Sequence, residues 1–419
     1  MNSRKHISTP HQSAPTHTVD GYYGWVIVAV GAVLLGVSFG ICYSFGVFLS
    51  SLQAEFSINR ATVSSIFSLY LFLVGVFSIW GGRFCDRFGP RIVVFNMGII
   101  SGLSLVLTSQ VRFAWQLYFT YSVLFSLGTG AMYIIIMATA SRWISNHRSG
   151  AIGITGAGAG LGTVLVAPFS AWLISSYQWR NAYLIMGIIA WITIIPLSLL
   201  LRKNPTEPDL DPVSQTPSDT PGAILAETID LSISSVMRTR QFRLLCFSWF
   251  SYSLCLYLVM GHIVPAVEDL GVTPFRAATV LSLMTIVSIP SRLVAGFMAD
   301  RIEKRKVIIG FALLIAVSMT WLSWADQVWQ YYLFAILFGV AYGGIDPPLV
   351  ALVGDTFGLS KVGQVMGVLM ISWGIGSAVG PYVGGLSFDV TGTYKMAFLA
   401  GGILVFVMAI CARWLGEPT

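Results

Sequence analysis

Charged residues in this chain are gathered into short clusters, which leave twelve long intervals that contain one charge or none. A membrane-spanning helix needs roughly 17–25 apolar residues, and each interval can supply them. Barrel strands would be about ten residues long and would alternate in polarity, so these runs predict helices. We therefore predict an all-α integral membrane protein with twelve transmembrane helices, spans 1–12 in chain order. The intervals are 21–54, 61–82, 92–111, 113–141, 149–179, 181–201, 244–267, 277–299, 307–325, 327–354, 362–388 and 396–412.

Composition supports the same conclusion and excludes several classes of protein. Of the 419 residues, 55% are hydrophobic and only 10% are charged, which is too little charge for a soluble surface. The basic residues are not clustered on a soluble module, so we expect no nucleic-acid partner. The five cysteines lack metal-ligand or disulfide spacing, and we expect them to be packing residues, with no metal and no cofactor.

The distribution of Lys and Arg predicts the orientation. If the N-terminus is cytoplasmic, most of the 24 basic residues fall on the inside, as the positive-inside rule requires. We therefore expect a multi-pass protein of the plasma membrane, or of the bacterial inner membrane in a prokaryote, with both termini cytoplasmic.

A long polar stretch after span 6, rich in Pro, Asp, Ser and Thr, divides the twelve spans into two sets of six and is typical of a linker. We predict a cytoplasmic tail, an N-terminal six-helix bundle, a cytoplasmic linker and a C-terminal six-helix bundle. These cover residues 1–20, 21–201, 202–240 and 241–415.

Two motifs recur between the halves at almost the same offset. The loop that starts at Gly82 is repeated from Gly296, a shift of 214 residues, and Pro168 of span 5 is matched by Pro381 of span 11, a shift of 213. This indicates a parallel repeat about an axis along the membrane normal.

The repeated loop after span 2 has the form Gly-x-x-x-Asp-Arg-x-Gly-x-Arg and is similar to the signature loop of the major facilitator superfamily. The resemblance covers the whole chain and implies that superfamily's fold. We expect the glycines to permit close helix approach and the aspartates to lie at helix N-termini of the other half, each worth about 0.3–1 kcal/mol, in one gating state only. A loop that merely anchors the topology is the alternative. The gating-loop residues are Gly82, Asp86, Arg87, Arg91, Gly296, Asp300 and Arg301.

The glycines of span 5 resemble a nucleotide-binding loop only superficially. No strand precedes them, and their spacing does not fit Gly-x-Gly-x-x-Gly. Close helix packing through small residues four apart, such as Gly156 and Gly160, is the better interpretation.

A narrower resemblance begins at the entry to span 1. Asp20-Gly-Tyr-Tyr-Gly24-Trp25 resembles the Asp-Gly-x-x-Gly-Trp signature of monocarboxylate transporters, and Asp389-x-Thr-Gly-x-Tyr394 after span 11 resembles the same family and its oxalate and formate exchanging relatives. The resemblance implies an organic-anion carrier, with a small monocarboxylate such as lactate or pyruvate as substrate.

Arg292 lies well inside span 8, where a charge costs about 2.5–3.5 kcal/mol on insertion scales. A guanidinium matches a carboxylate bidentately, and an arginine of span 8 binds substrate in the family that this chain resembles. The alternatives are a permanent ion pair with Asp346 of span 10, or a pair that opens as substrate and proton arrive. Family members of the mammalian type carry an acidic residue one turn before this arginine, where this chain has Ser288. Pro347 and Pro348, which follow Asp346, are expected to break span 10.

Three titratable groups are candidates for proton coupling. His262 near the end of span 7 has an unperturbed pKa of about 6.5, and Asp346 and Asp269 are the acidic candidates. A hydrogen-bonded structural role for His262 is the alternative. A proton that moves with the anion would cancel its charge and remove a cost of about 2.3 kcal/mol per 100 mV.

Three aromatic residues are expected to line the same cavity. Tyr133 of span 4 and Tyr342 of span 10 could donate hydroxyls to a carboxylate, and Trp373 of span 11 would narrow the cavity. Aromatic helix packing or interfacial belting is the alternative for all three.

The sequence thus predicts a secondary active transporter that uses alternating access, with a small organic anion and a proton as partners and a functional monomer in the bilayer. An anion exchanger of the oxalate and formate type, or a non-transporting sensor with a carrier fold, is the alternative. No nucleophile-and-base arrangement points to an enzyme.

Overall fold

The computed structural model describes residues 22–144, 148–203, 233–357 and 362–415, and within these ranges all regular structure is helical. The N-terminal tail, most of the linker and residues 358–361 lie outside the described residues. The helices are Tyr22–Tyr43, Phe45–Phe56, Arg60–Ser109, Ala114–Leu117, the π-helical Tyr118–Phe125, Ser126–Thr129, Met132–Trp143, Arg148–Ser198, Ile233–Arg238, Arg240–Glu268, Pro274–Arg301, Lys304–Ser323, Val328–Phe357, Val362–Thr391, Lys395–Cys411 and the short 3-10 turn Ala412–Trp414.

Twelve spans result from these helices. Eleven helical segments of the described chain are long and apolar enough to cross a membrane. The segment Ala151–Ser198 reverses at Gln178, whose φ of 67° is left-handed, so it forms spans 5 and 6. The predicted all-α fold with twelve transmembrane helices is confirmed.

The two copies of the repeated loop turn differently. Spans 2 and 3 are joined at Gly89, whose φ of 80° favours glycine, and Pro90 follows it. In the second copy the chain turns through Ile302 and Glu303 with φ values of −117° and −51°. Because neither value is left-handed, Glu303 can occupy the position equivalent to Gly89.

Span 10 does not break where the sequence suggested. Val328–Phe357 is one helix with Pro347 and Pro348 inside it, so the predicted break is wrong. Each proline removes one backbone donor, and the carbonyls of Gly343 and Gly344, four residues earlier, lose their helical partners. The helix survives because its other hydrogen bonds and its neighbours hold it.

Span 5 packs against span 1 through glycines, as predicted, but through a different pair. An added Cβ on Gly158 or Gly162 would lie within about 2 Å of the span 1 backbone, at Ala32 and Gly36 respectively. Gly156 and Gly160 instead face Met137 and Ile289. The small-residue packing is therefore real, and the choice of Gly156 with Gly160 was wrong.

The repeat appears again in the packing of equivalent helices. A Cβ on Gly162 would meet the carbonyl of Gly36 at 1.9 Å, and one on Gly376 would meet the carbonyl of Phe250 at 2.3 Å. Both members of the second pair lie 214 residues after their counterparts, the offset found in the sequence. Spans 1 and 5 therefore pack as spans 7 and 11 do.

The two sets of six spans meet at the end of the bundle that carries Arg60, which we call the Arg60 end. Gly46 of span 1 lies against the backbone of Gly261 in span 7, and Gly385 of span 11 lies against the backbone of Arg60 and Ala61. At the opposite end, a Cβ added to Gly82 or Gly296 would meet nothing within 4 Å. The bundle is therefore closed at the Arg60 end, whereas the backbone at Gly82 and Gly296 borders open space at the other.

Candidate functional site

Arg292 and Asp346 lie together in the interior, on spans 8 and 10. Arg292 Nη2 is 3.6 Å from Asp346 Oδ2, and the two side chains remain 43% and 31% exposed. A charge-assisted hydrogen bond would be about 2.7–2.9 Å long, so this ion pair is loose. The guanidinium can therefore accept a second anionic partner without first losing a bidentate bond to Asp346.

Tyr342 lies beside Arg292 in this site. Its ring centroid is 5.8 Å from the guanidinium carbon of Arg292, and its hydroxyl is hydrogen-bonded to Ser288 Oγ at 2.8 Å. Tyr252 of span 7 donates to the Tyr342 carbonyl at 3.2 Å. Ser288, which the sequence marked only as a departure from related proteins, thus fixes the tyrosine beside the arginine.

Aromatic side chains of spans 1, 4, 7 and 11 contact one another, and they come from both halves. Tyr133 of span 4 is 46% exposed, and its ring meets Phe39 of span 1 at 5.9 Å between centroids. The hydroxyls of Tyr43 and Tyr257 are 3.3 Å apart, which joins span 1 to span 7. Trp373 meets Tyr257 edge to face at 5.3 Å.

Span 8, which carries Arg292, packs against span 5 of the opposite half. A Cβ added to Gly160 of span 5 would lie 3.2 Å from the Ile289 side chain, and Ser282 Oγ donates to the Val164 carbonyl at 3.0 Å. Arg292 therefore lies on a span at the interface between the halves, and the cavity that it would share with Tyr133 stays a prediction. Trp373 reaches this region through Tyr257 rather than through a contact with Arg292.

His262 belongs to a different layer of the protein. Its side chain is fully buried, and Nε2 lies 2.7 Å from the Pro381 carbonyl and 3.4 Å from Ser64 Oγ. Nε2–H must donate to that carbonyl, which fixes the tautomer and leaves Nδ1 unprotonated in the neutral ring. Its ring also packs on Tyr394 at 4.9 Å. These contacts fit the hydrogen-bonded structural alternative better than a site beside Arg292.

Asp269 is held by an arginine that the sequence pattern did not single out. Arg60 at the start of span 2 makes two hydrogen bonds to Asp269, Nη1 to Oδ2 and Nη2 to Oδ1, each 2.7 Å long. The guanidinium carbon also lies 3.6 Å from the ring centroid of Phe388, and Nη1 donates a further hydrogen bond to the Tyr394 hydroxyl. The residues are 209 positions apart in sequence, so no local pattern could have paired them.

Asp389 supplies a second contact at the same end. Its two carboxylate oxygens accept hydrogen bonds from the backbone N–H groups of Arg60, at 2.9 Å, and Ala61, at 2.7 Å. These are unpaired donors of the first turn of span 2, where a negative charge is favourable. The sequence noted Asp389 as part of a family motif without a physical role.

The gating loops show no comparable cross-half contact in the residues that can be described. Arg87, Arg91 and Arg301 are exposed, and Arg87 lies over Phe88 at 5.2 Å. The backbone at Asp86 and Asp300 is helical, but their side chains lie outside the described residues. The expectation that these aspartates cap helices of the other half therefore stays a prediction.

Glu303 in the second loop is paired with its own neighbours. Its carboxylate lies 3.2 Å from Lys306 Nζ and 2.6 Å from Arg305 Nη2. These cations, Lys306 first, hold the pKa of Glu303 below its ordinary value. Beside it, Lys304 Nζ bonds Asp355 of span 10 at 2.5 Å. This loop is thus tied to its own half.

Comparison with known proteins finds similarity along most of the chain. The family model described as Major Facilitator Superfamily matches residues 28–293 and 245–419. Monocarboxylate transporter 13 of Rattus norvegicus is 26% identical over 92% of this chain and 87% of its own length, and monocarboxylate transporter 11 of Mus musculus is 26% identical over 98% and 90%.

A solved structure shares the fold. It is the crystal structure of a bacterial homologue of the human lysosomal transporter Spinster, in an inward-facing and unoccupied conformation. It aligns with a TM-score of 0.69 at 16% identity, covering 94% of this chain and 95% of that one.

Proposed function

Because this chain belongs to the Major Facilitator Superfamily, we propose that it is a secondary active transporter that moves a small monocarboxylate together with a proton by alternating access. Curated relatives of similar length are monocarboxylate transporters, which supports the class of substrate. Lactate and pyruvate are the first acids to test.

The observation that carries the proposal is that Arg292 lies inside a span with a loosely bound anionic partner. A cation in a span needs a partner, and its only ion pair among the described residues is the loose one to Asp346 at 3.6 Å. The Tyr342 ring lies 5.8 Å from its guanidinium carbon, and we propose that this ring, Tyr133 and the neighbouring aromatic side chains form an apolar wall of the site. A carboxylate on an organic body of modest size would satisfy both the cation and the wall.

Asp346 is the proton site that the geometry supports best. When its carboxylate is ionised it competes with the substrate for Arg292, and when it is protonated it does not. Proton and anion binding then favour each other, and this coupling must be reciprocal. The loaded site would be electrically equivalent to the empty one, so uptake would not oppose the membrane potential.

The orientation predicted from the positive-inside rule completes the proposal. With both termini cytoplasmic, the Arg60 end faces outward, and the closed Arg60 end makes this an inward-facing state. In the plasma membrane, or a bacterial inner membrane, an inward proton gradient would then drive uptake. We propose that the monomer is the transporting unit, because the site lies between the halves of one chain.

Uptake into proteoliposomes tests the proposal. Labelled lactate, pyruvate, acetate and oxalate are offered with an imposed inward proton gradient, to wild type, Arg292→Ala and Arg276→Ala. Arg276 is an exposed arginine at the start of the same span and serves as the matched control. We expect gradient-driven uptake of a monoacid that Arg292→Ala abolishes and Arg276→Ala preserves.

Other outcomes would redirect the proposal. Uptake that persists in Arg292→Ala would make this arginine structural. Uptake that requires unlabelled acid inside the vesicle and ignores the proton gradient would point to an exchanger. The absence of flux for all acids would favour a sensor.

A further inference from the structure

Two polar contacts at the Arg60 end join the halves, and neither belongs to the substrate site. Arg60 binds Asp269 of span 7 bidentately, and the first turn of span 2 donates to Asp389 of span 11. A third contact lies beside them, where Ser50 Oγ donates to Glu268 Oε2 at 2.6 Å. Each contact has one partner in spans 1–6 and the other in spans 7–12.

Burial distinguishes Arg60 from an ordinary surface charge. Its side chain is 9% exposed, although most arginines of loops and span ends are solvated. The guanidinium is enclosed by Phe388 and Tyr394, which also belong to the span 11 side of the interface. Both terminal nitrogens of the cation thus donate to groups of the other half, while Nε–H donates to Gln53 of span 1 at 3.2 Å. Such a fit is specific to one relative position of the halves.

The contact between Asp389 and the first turn of span 2 is likewise specific to one relative position of the halves. A helix N-terminus presents N–H groups that need acceptors, and here the acceptor comes from a helix 328 residues further along the chain instead of a local capping side chain at that position. Asn59 does cap the next donor, the N–H of Thr62, at 2.9 Å. When the halves separate at this end, the N–H groups of Arg60 and Ala61 lose Asp389 and Asn59 alone remains.

We propose that Arg60, Asp269, Asp389 and Tyr394 form a gate, the Arg60 gate, that keeps the outer end of the transport pathway shut and must break for the carrier to open there. Asp269 is then a gate residue that pairs with Arg60, instead of a proton-coupling residue. The gate acts whatever solute the protein moves, so this inference does not depend on the identity of the acid.

A neighbouring ion pair provides a matched control. Arg180 of span 6 binds Glu55 of span 1 at 2.7 Å, near the same end of the protein. Both residues lie in the first six spans and travel together when the halves move. Breaking this pair removes an ion pair at the same end without changing any contact across the interface.

The test measures the opening of the Arg60 end directly. Spin labels are placed at Gln110 and Asp326, exposed residues in the loops after spans 3 and 9, with the native cysteines replaced by alanine. Distance distributions are recorded by double electron–electron resonance in liposomes without substrate. The variants are Asp269→Asn, Asp389→Asn and the control Glu55→Gln.

We expect Asp269→Asn and Asp389→Asn each to raise the ratio of long-distance to short-distance populations about five- to tenfold, as the loss of one capping or charge-assisted bond implies. Glu55→Gln should leave the distribution at that of wild type. Equal distributions in all four proteins, or the same shift in Glu55→Gln, would overturn the proposal.

A second measurement guards against misfolding. Ser64 is buried below Arg60 on the next turn of span 2, and a cysteine there should be shielded from a membrane-impermeant maleimide while the gate is shut. Labelling of Ser64→Cys should become about five- to tenfold faster when Asp389→Asn is added, as loss of the helix cap implies. Unchanged labelling in a variant that retains its thermal transition would also refute the gate.

Discussion

Replacing Asp346 with asparagine tests whether its carboxylate competes with the substrate for Arg292. Two unit charges 3.6 Å apart attract by about 5 kcal/mol at an effective dielectric constant of 20 and by about 1 kcal/mol in bulk water. Because both side chains are about a third exposed or more, the lower part of that range applies, about 1–2 kcal/mol. Asp346→Asn removes this attraction and leaves a neutral group of the same shape.

The expected result is tighter binding of the anion with lost coupling. Substrate affinity at neutral pH should rise about five- to thirtyfold, as a gain of 1–2 kcal/mol implies. Wild type should bind more tightly as the pH falls, since a protonated Asp346 releases Arg292. The variant should bind with the same affinity at pH 5.5 and 7.5, and it should not accumulate substrate against a gradient.

Equilibrium binding of labelled lactate to purified protein in detergent measures the affinity, and proteoliposome uptake measures the coupling. Weaker binding in Asp346→Asn would show that this carboxylate positions Arg292 instead of competing for it. A pH dependence that persists in the variant would move the proton site elsewhere.

Two further substitutions test the hydrogen bond that holds Tyr342 and the packing of span 5 against span 1. Ser288→Ala removes the 2.8 Å bond to the Tyr342 hydroxyl, which is worth roughly 1 kcal/mol. We expect KM for the acid to rise about threefold to tenfold and the thermal midpoint to fall by no more than about 2 °C. Gly162→Ala would place a methyl group 1.9 Å from the Gly36 carbonyl, so its thermal midpoint should fall by several degrees, whereas Gly153→Ala, which meets nothing within 4 Å, should not lower it. Equal midpoints for the two glycine variants would contradict the packing.

The spans and their repeat could be predicted because their cause is local. An interval free of charge must lie in lipid or in the core, and a shared offset needs only the sequence itself. The fold therefore followed from the pattern of charges and from two motifs. Arg292 could be singled out for the same reason, since a cation inside an apolar interval is visible without a structure.

The contacts between particular side chains of different helices could not be predicted, because they depend on which helix faces pack together. Span 5 has glycines on two faces, and the sequence offered no means of choosing Gly158 and Gly162 over Gly156 and Gly160. Arg60 looks like any basic residue between spans until Asp269 is placed beside it. The effect of two consecutive prolines on span 10 was likewise decided by neighbouring helices.

The two arginine–aspartate pairs differ in what a change of state must do to them. Arg292 and Asp346 both lie in spans 7–12, so their contact survives a rigid movement of the halves and can respond to substrate in any state. Arg60 and Asp269 lie in different halves, so their contact is possible in one state only. Substrate binding at Arg292 and Asp346 can influence the contact between Arg60 and Asp269 only through residues that contact both halves. Tyr257 is such a residue, since it lies on the span that ends beside Asp269, is 3.3 Å from the Tyr43 hydroxyl of span 1, and packs on Trp373.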